Sequence, residues 1–257
     1  MAATTIGWCA PIEQSARVAR NGYDFIEAAL GPMQLETDDG MADALTAVER
    51  AAVPVAVFNQ LLPRDMMLVG PAVEPARIRR YITRVASVVA AASGQVVVLG
   101  SGWARNVPEG WRRDVADAQF LETVLWFADA LAPIGATLAL EAQNLKETNF
   151  VTTLAEAARM AQALGGVSIG VVADTYHLHE SGELLAVVAA VAGVIAHIHV
   201  SDSDRRLPGD GAYDFAAFFR CLNEGGYQGR LSIEMMRDVS DEEMHRALAF
   251  VRTASAF

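Results

Sequence analysis

Four ionisable residues close four separate apolar runs. Glu141 ends Leu138-Ala139-Leu140-Glu141, Asp174 ends Val171-Val172-Ala173-Asp174, His199 ends Ile195-Ala196-His197-Ile198-His199, and Glu234 ends Leu231-Ser232-Ile233-Glu234. A charged side chain at the end of a buried run is costly unless something compensates it. Four of them at long, regular spacing point to one shared partner, most simply a divalent metal. One nitrogen and three carboxylates suit a fairly hard ion such as Mn²⁺, Mg²⁺ or Co²⁺. His197 lies two residues before His199 and so faces the same side of a strand. The expected ligand is His199, nearer the carboxyl end, with His197 in a deeper, supporting role.

A second tier of polar residues follows each ligand. Glu147 lies on the segment after Glu141, His177 three residues beyond Asp174, and Arg205 and Arg206 on the segment after His199. Such groups are suited to holding a polyol or keto sugar by its hydroxyls. Trp8, Phe58 and Trp103 fall at strand ends or in the loops that follow them, and are expected to form an apolar wall. Gly100-Ser101-Gly102 reads as a tight turn that allows close backbone approach.

The elements that must position these residues alternate regularly. The pattern predicts strands over 4–9, 24–29, 53–59, 95–100, 137–141, 168–174, 196–201 and 230–235. Helices are expected after each, over 11–21, 40–52, 74–92, 114–132, 153–164, 182–192, 214–224 and 241–253. Pro75 suits the first turn of the third helix, and Asp214 and Asp241 suit N-caps. Eight strand–helix units in series predict an α/β fold, a single (β/α)₈ barrel over 1–257. An open doubly wound sheet fits less well, because no Gly-rich fingerprint follows the first strand. In a barrel, the carboxyl ends of strands five to eight are neighbours at one mouth, so the four ligands meet without long loops.

Bulk properties narrow the field. The net charge of −11 argues against a nucleic-acid partner, which wants clustered Lys and Arg. The only cysteines, Cys9 and Cys221, form no disulfide framework, fit a cytoplasmic setting, and are not expected near the ligands. No signal peptide is apparent, and the longest apolar stretch, 184–198, is interrupted by Gly193 and His197, so no membrane span is expected.

With these residues in place, the chain resembles the xylose-isomerase-like TIM-barrel superfamily of sugar phosphate isomerases and epimerases. Within it, the similarity is greatest to ketose 3-epimerases of the D-psicose and D-tagatose type. It spans nearly the whole chain and is most specific in Glu-x-x-Asn-x-x-Glu (141–147), Asp-Thr-Tyr-His (174–177), His-x-His (197–199) with Arg205 six residues on, and Ile233-Glu234. The resemblance implies one divalent ion, Mn²⁺ foremost with Co²⁺ or Mg²⁺ as alternatives, held by Glu141, Asp174, His199 and Glu234. It implies Glu147, His177 and Arg205 as contacts to substrate oxygens, with Glu141 and Glu234 moving a proton on opposite faces of the substrate carbon. The implied reaction is C3 epimerisation of a ketose through a cis-enediolate, in a protein that commonly forms dimers or tetramers.

Two departures concern the substrate. Leu145 stands where the epimerases usually carry Arg, and the chain is shorter than those enzymes. Keto-sugar or inosose dehydratases and lyases share the first step and stay open as alternatives. Hydroxypyruvate isomerase shares the barrel, but Gln commonly stands there in place of His199. The multi-zinc endonuclease IV barrel needs more histidines and a basic groove. A non-catalytic binding barrel would not need the full ligand set.

Overall fold

Eight short runs rich in Val, Ile, Leu and Ala form the strands of a computed structural model that describes residues 4–165 and 168–255. They are β1 (Ile6–Cys9), β2 (Phe25–Ala29), β3 (Val55–Asn59), β4 (Val96–Leu99), β5 (Thr137–Glu141), β6 (Ile169–Asp174), β7 (Ile195–Val200) and β8 (Leu231–Ile233). Each pairs in parallel with the next, and β8 returns to β1 with Ile6 opposite Leu231 and Trp8 opposite Ile233, closing the barrel. The (β/α)₈ expectation therefore holds.

The α-helices among the described residues are α1 (Ser15–Arg20), α2 (Asp38–Glu49), α3 (Pro75–Ala92), α4 (Arg113–Leu131), α5 (Leu154–Leu164), α6 (Thr175–Ser181), α7 (Ala186–Val191), α8 (Phe215–Glu224) and α9 (Asp241–Ala254). Pro75 opens α3 where its missing N–H costs nothing, and Asp214 caps α8 by accepting from the Ala217 N–H at 2.9 Å. The cap of α9 is Ser240, not Asp241. Its hydroxyl accepts from the Glu243 N–H while the Glu243 carboxylate accepts from the Ser240 N–H, a reciprocal capping box. The first expected helix begins instead as a single 3₁₀ turn at Ile12–Gln14, ahead of α1. The sixth is split. α6 starts directly at the end of β6, because Asp174 caps it by accepting from the N–H groups of Tyr176 and His177, and α7 is shorter than expected.

Side-chain alternation divides the core in two. Phe25, Val98, Ala139 and Val172 pack together inside the barrel. They lie two residues before Glu27, Gly100, Glu141 and Asp174, so the polar mouth sits directly above an apolar plug. Leu138, Leu140, Val171, Ala173, Ile198 and Val200 have the opposite parity and pack in the larger core shared with the helices.

Candidate active site

Register brings the four strand-end residues to one level. Asp174 stands opposite His199 across the β6–β7 ladder, and Glu141 opposite Val172 across β5–β6. Glu234 falls one residue past β8, yet its N–H still donates to the Val200 carbonyl at 3.1 Å. His199 Nδ1 is the hub, 2.7 Å from Glu141 Oε1, 3.7 Å from Asp174 Oδ2 and 3.9 Å from Glu234 Oε2. Ligand atoms of all four lie within 4.8 Å of one another.

Each carboxylate has a second tie that fixes its direction. Gln143 Nε2 donates to Glu141 Oε2 at 3.1 Å. Asp174 spends Oδ1 on capping α6, at 2.7 Å from the Tyr176 nitrogen, which leaves Oδ2 for the hub. Arg205 Nη1 reaches Glu234 at 3.4 Å and its Nη2 reaches Glu147 at 2.8 Å, while the guanidinium lies 4.1 Å above the Tyr176 ring. Asn144 donates to His177 Nδ1 from its backbone N–H at 3.2 Å and its side-chain amide at 3.0 Å. Two donors on Nδ1 put the His177 proton on Nε2. The Gly-Ser-Gly turn serves this packing. A Cβ at Gly100 would come within 2.2 Å of Glu141 Oε2, and one at Gly102 within 2.3 Å of Gln143 Oε1.

The electrostatics show a site short of positive charge. Burial pushes the Glu234 carboxyl up to about 7, and the charges of Glu141 and Asp174 add to this against the pull of His199 and Arg205. Burial also opposes ionisation of Glu141 and Asp174, but the neighbouring imidazoles outweigh it and hold both below the usual range. Burial opposes a charge on His199 too, yet Glu27 and Glu234 hold its imidazole well above the usual value. The donor set fits one divalent cation, which would take the place of the His199 Nδ1 proton among three carboxylates.

The sequence-predicted residues divide cleanly. Glu141, Glu147, His177, His199, Arg205, Glu234 and Trp103 line one cavity of about 270 Å³, and Asp174, which does not line it, keeps a donor oxygen within 4.8 Å of donor atoms of Glu141, His199 and Glu234. Trp8 and Phe58 do not line it. Cys9 and Asn59 point inward, so Trp8 and Phe58, one residue earlier, point outward into the helix-facing core. There Trp8 meets Tyr23 edge-on at 5.3 Å. Leu145 is 80% exposed and also off the cavity wall.

Sequence reasoning missed three things. Cys9 is not remote, since its sulfur falls within 4.8 Å of donor atoms of His199 and Glu234. Burial and the Glu27 charge push its thiol well up, so it stays protonated. Gln143, which orients Glu141, was hidden in a polar loop, and Asn144, though part of the Glu-x-x-Asn-x-x-Glu motif, was given no role in orienting His177. Glu27, wholly buried in β2, lies 2.8 Å from His199 Nε2 and 2.9 Å from His197 Nε2.

A closed parallel barrel with its ionisable cavity at the carboxyl ends of the strands is the layout of a (β/α)₈ enzyme. The chain belongs to the xylose isomerase-like TIM barrel family, which it matches over residues 15–254. It is 31% identical to a ketose 3-epimerase of Arthrobacter globiformis over 108 residues, 42% of this chain but only 37% of that relative's length. It is 24% identical to the D-psicose 3-epimerase of Agrobacterium fabrum over 262 residues, covering 92% of this chain and 90% of that enzyme. A crystal structure of a D-psicose 3-epimerase in the presence of D-fructose superposes with a TM-score of 0.85 at 20% identity, covering 98% of this chain and all of the other, a likeness of fold. Among the described residues, no helix is long and apolar enough to cross a membrane.

Proposed function

We propose that this protein is a divalent-metal-dependent sugar epimerase that inverts C3 of a ketose through a cis-enediolate. One observation carries the reading. Glu141 and Glu234 approach the same imidazole nitrogen from β5 and from the end of β8, on either side of the β6–β7 pair. Carboxylates reaching one point from separate strands are placed to act on opposite faces of a bound carbon.

Glu141, Asp174, His199 and Glu234 would hold the ion, with Mn²⁺ expected and Co²⁺ or Mg²⁺ as alternatives. Bound there, it would polarise the substrate carbonyl and lower the energy of the enediolate. One glutamate takes the proton from C3 and the other returns a proton to the opposite face. The two exchange protonation states in each turnover and reset through solvent. His177 Nε2–H, Glu147 and Arg205 hold substrate oxygens, and Trp103 covers one side of the sugar. The names of the relatives support a keto-sugar substrate, and the small cavity supports a single sugar unit.

The test is incubation of the Mn²⁺-loaded protein with free and phosphorylated ketoses in deuterated water. The expected product has the substrate's skeleton and one deuterium at the carbon beside the carbonyl. Glu141→Gln and Glu234→Gln should each stop epimerisation while the barrel stays folded. Normal epimerisation in both variants would sink the proposal. A dehydrated or cleaved product would establish the dehydratase or lyase alternative, and a hydroxypyruvate arm checks the isomerase one.

A further inference from the structure

Below the cavity lies a carboxylate that the proposed reaction does not use. Glu27 is the third residue of β2 and is 0% exposed, although an ionised carboxylate is among the costliest groups to bury. Its two oxygens are divided between two imidazoles. Oε1 lies 2.8 Å from His199 Nε2, and Oε2 lies 2.9 Å from His197 Nε2, which is also 3.0 Å from Ser232 Oγ. An ionised carboxylate only accepts, so both Nε2 atoms must donate. The Nε2 of His199 is thereby occupied, and Nδ1 is the nitrogen left facing Glu141, Asp174 and Glu234.

We propose that Glu27 is the positioning residue of the metal centre. Through the His199 Nε2–H it fixes which ring nitrogen ligates, holds the ring plane, and strengthens the donor. His197, buried against the Phe25 ring, anchors the other oxygen so that Glu27 cannot turn away. The inference rests on the metal site of the proposed function.

The test compares Mn²⁺ affinity, by competition with a fluorescent chelator, in the unaltered protein and in Glu27→Gln, Glu27→Asp and Glu27→Ala. Gln replaces one acceptor with an amide that opposes an imidazole N–H. Asp keeps the charge but draws it back by one methylene. Affinity should fall roughly 10–100-fold in the Gln and Ala variants, with circular dichroism unchanged. A clear loss in the Asp variant as well would identify position, rather than charge alone, as the cause. Should the variants fail to fold, ¹⁵N NMR of the unaltered Zn²⁺-loaded protein decides. It should show His199 metallated at Nδ1 and protonated at Nε2. Metallation at Nε2, or folded variants with unaltered affinity, would overturn the inference. An unaltered protein that binds no ion would instead overturn the metal reading itself, and this inference with it.

Discussion

Arg105 Nη2 donates to the backbone carbonyl of Glu141 at 2.7 Å, with no part of the arginine exposed. Its Nη1 reaches the Leu99 carbonyl at 3.3 Å, so one guanidinium ties the ends of β4 and β5 together directly behind a proposed catalytic carboxylate. Burial lowers its pKa to about 10, which still leaves it charged at neutral pH. Arg105→Met keeps most of the volume but removes the charged donor to the Glu141 carbonyl, which should cost about 1–3 kcal/mol of stability. Urea unfolding of the variant measures this, and an unchanged midpoint with unchanged slope would contradict it.

The opposite orientations of Phe58 and Trp103 give separable outcomes. Phe58 is 0% exposed in the helix-facing core, so Phe58→Ala should lose about 3–5 kcal/mol. Trp103 lines the cavity and carries the Arg64 guanidinium 4.0 Å from its ring centre. Trp103→Ala should raise KM roughly fivefold for about 1 kcal/mol of lost contact, with a smaller stability loss. Thermal unfolding and steady-state kinetics on both variants would expose a reversed assignment.

The two aromatic residues also show how far the sequence reaches. Runs such as Val96–Leu99, closed by glycine, mark strands because few other contexts tolerate so much unbroken apolar surface. A carboxylate ending such a run stands out, which made Glu141, Asp174 and Glu234 legible. Parity at a strand end does not stand out. Trp8 and Cys9 differ by one position and face opposite sides of the barrel wall, and only the closed register decides which points inward. Glu27 carried a usable signal, a charge inside Phe-Ile-Glu-Ala-Ala, but the apolar residues after it hid its closeness to the mouth. α6 was illegible because Thr-Tyr-His-Leu-His-Glu-Ser has no apolar stripe, and its start depends on Asp174 capping it.

Arg205 bridges Glu147 and Glu234 from a left-handed backbone position, φ 54°, while stacked on Tyr176. A lysine is a point charge and cannot span both carboxylates. Arg205→Lys should therefore lower kcat/KM about 10–100-fold, the equivalent of one or more charge-assisted hydrogen bonds. Tyr176→Phe keeps the ring face and should stay within about twofold of the unaltered enzyme, because the stacking needs the ring and not the hydroxyl. A loss in Tyr176→Phe as large as that in Arg205→Lys would show that the hydroxyl matters as well as the ring.

Acid should weaken α9 at its start. Contacts with Arg237 and with the Ser240 N–H lower the Glu243 carboxyl from 4.5 to about 2. A lowered folded-state value means stabilisation that is present above the unfolded value and lost as pH falls through the folded one. Glu243→Gln removes the charge while keeping an acceptor for the capping box. The gap in Tm between the unaltered protein and this variant should be widest near neutral pH and should close as pH drops from 4.5 towards 2. A gap constant across that range would show that the charge contributes nothing.

Divalent ions should stabilise the fold through the same cluster. A ligand that binds only the folded state at 100 times its Kd adds about 2.7 kcal/mol, roughly 5–10 °C in Tm for a domain of this size. Chelation should lower Tm by that amount and abolish activity, and Mn²⁺ or Co²⁺ should restore both. Asp174→Asn should blunt the response, because Oδ2 loses its charge while Oδ1 can still cap α6. Cys9→Ser should leave the response intact, because Glu141, Asp174, His199 and Glu234 already supply a donor set without the thiol. A full response in Asp174→Asn together with its loss in Cys9→Ser would move the site to the Cys9–His199–Glu234 side of the imidazole.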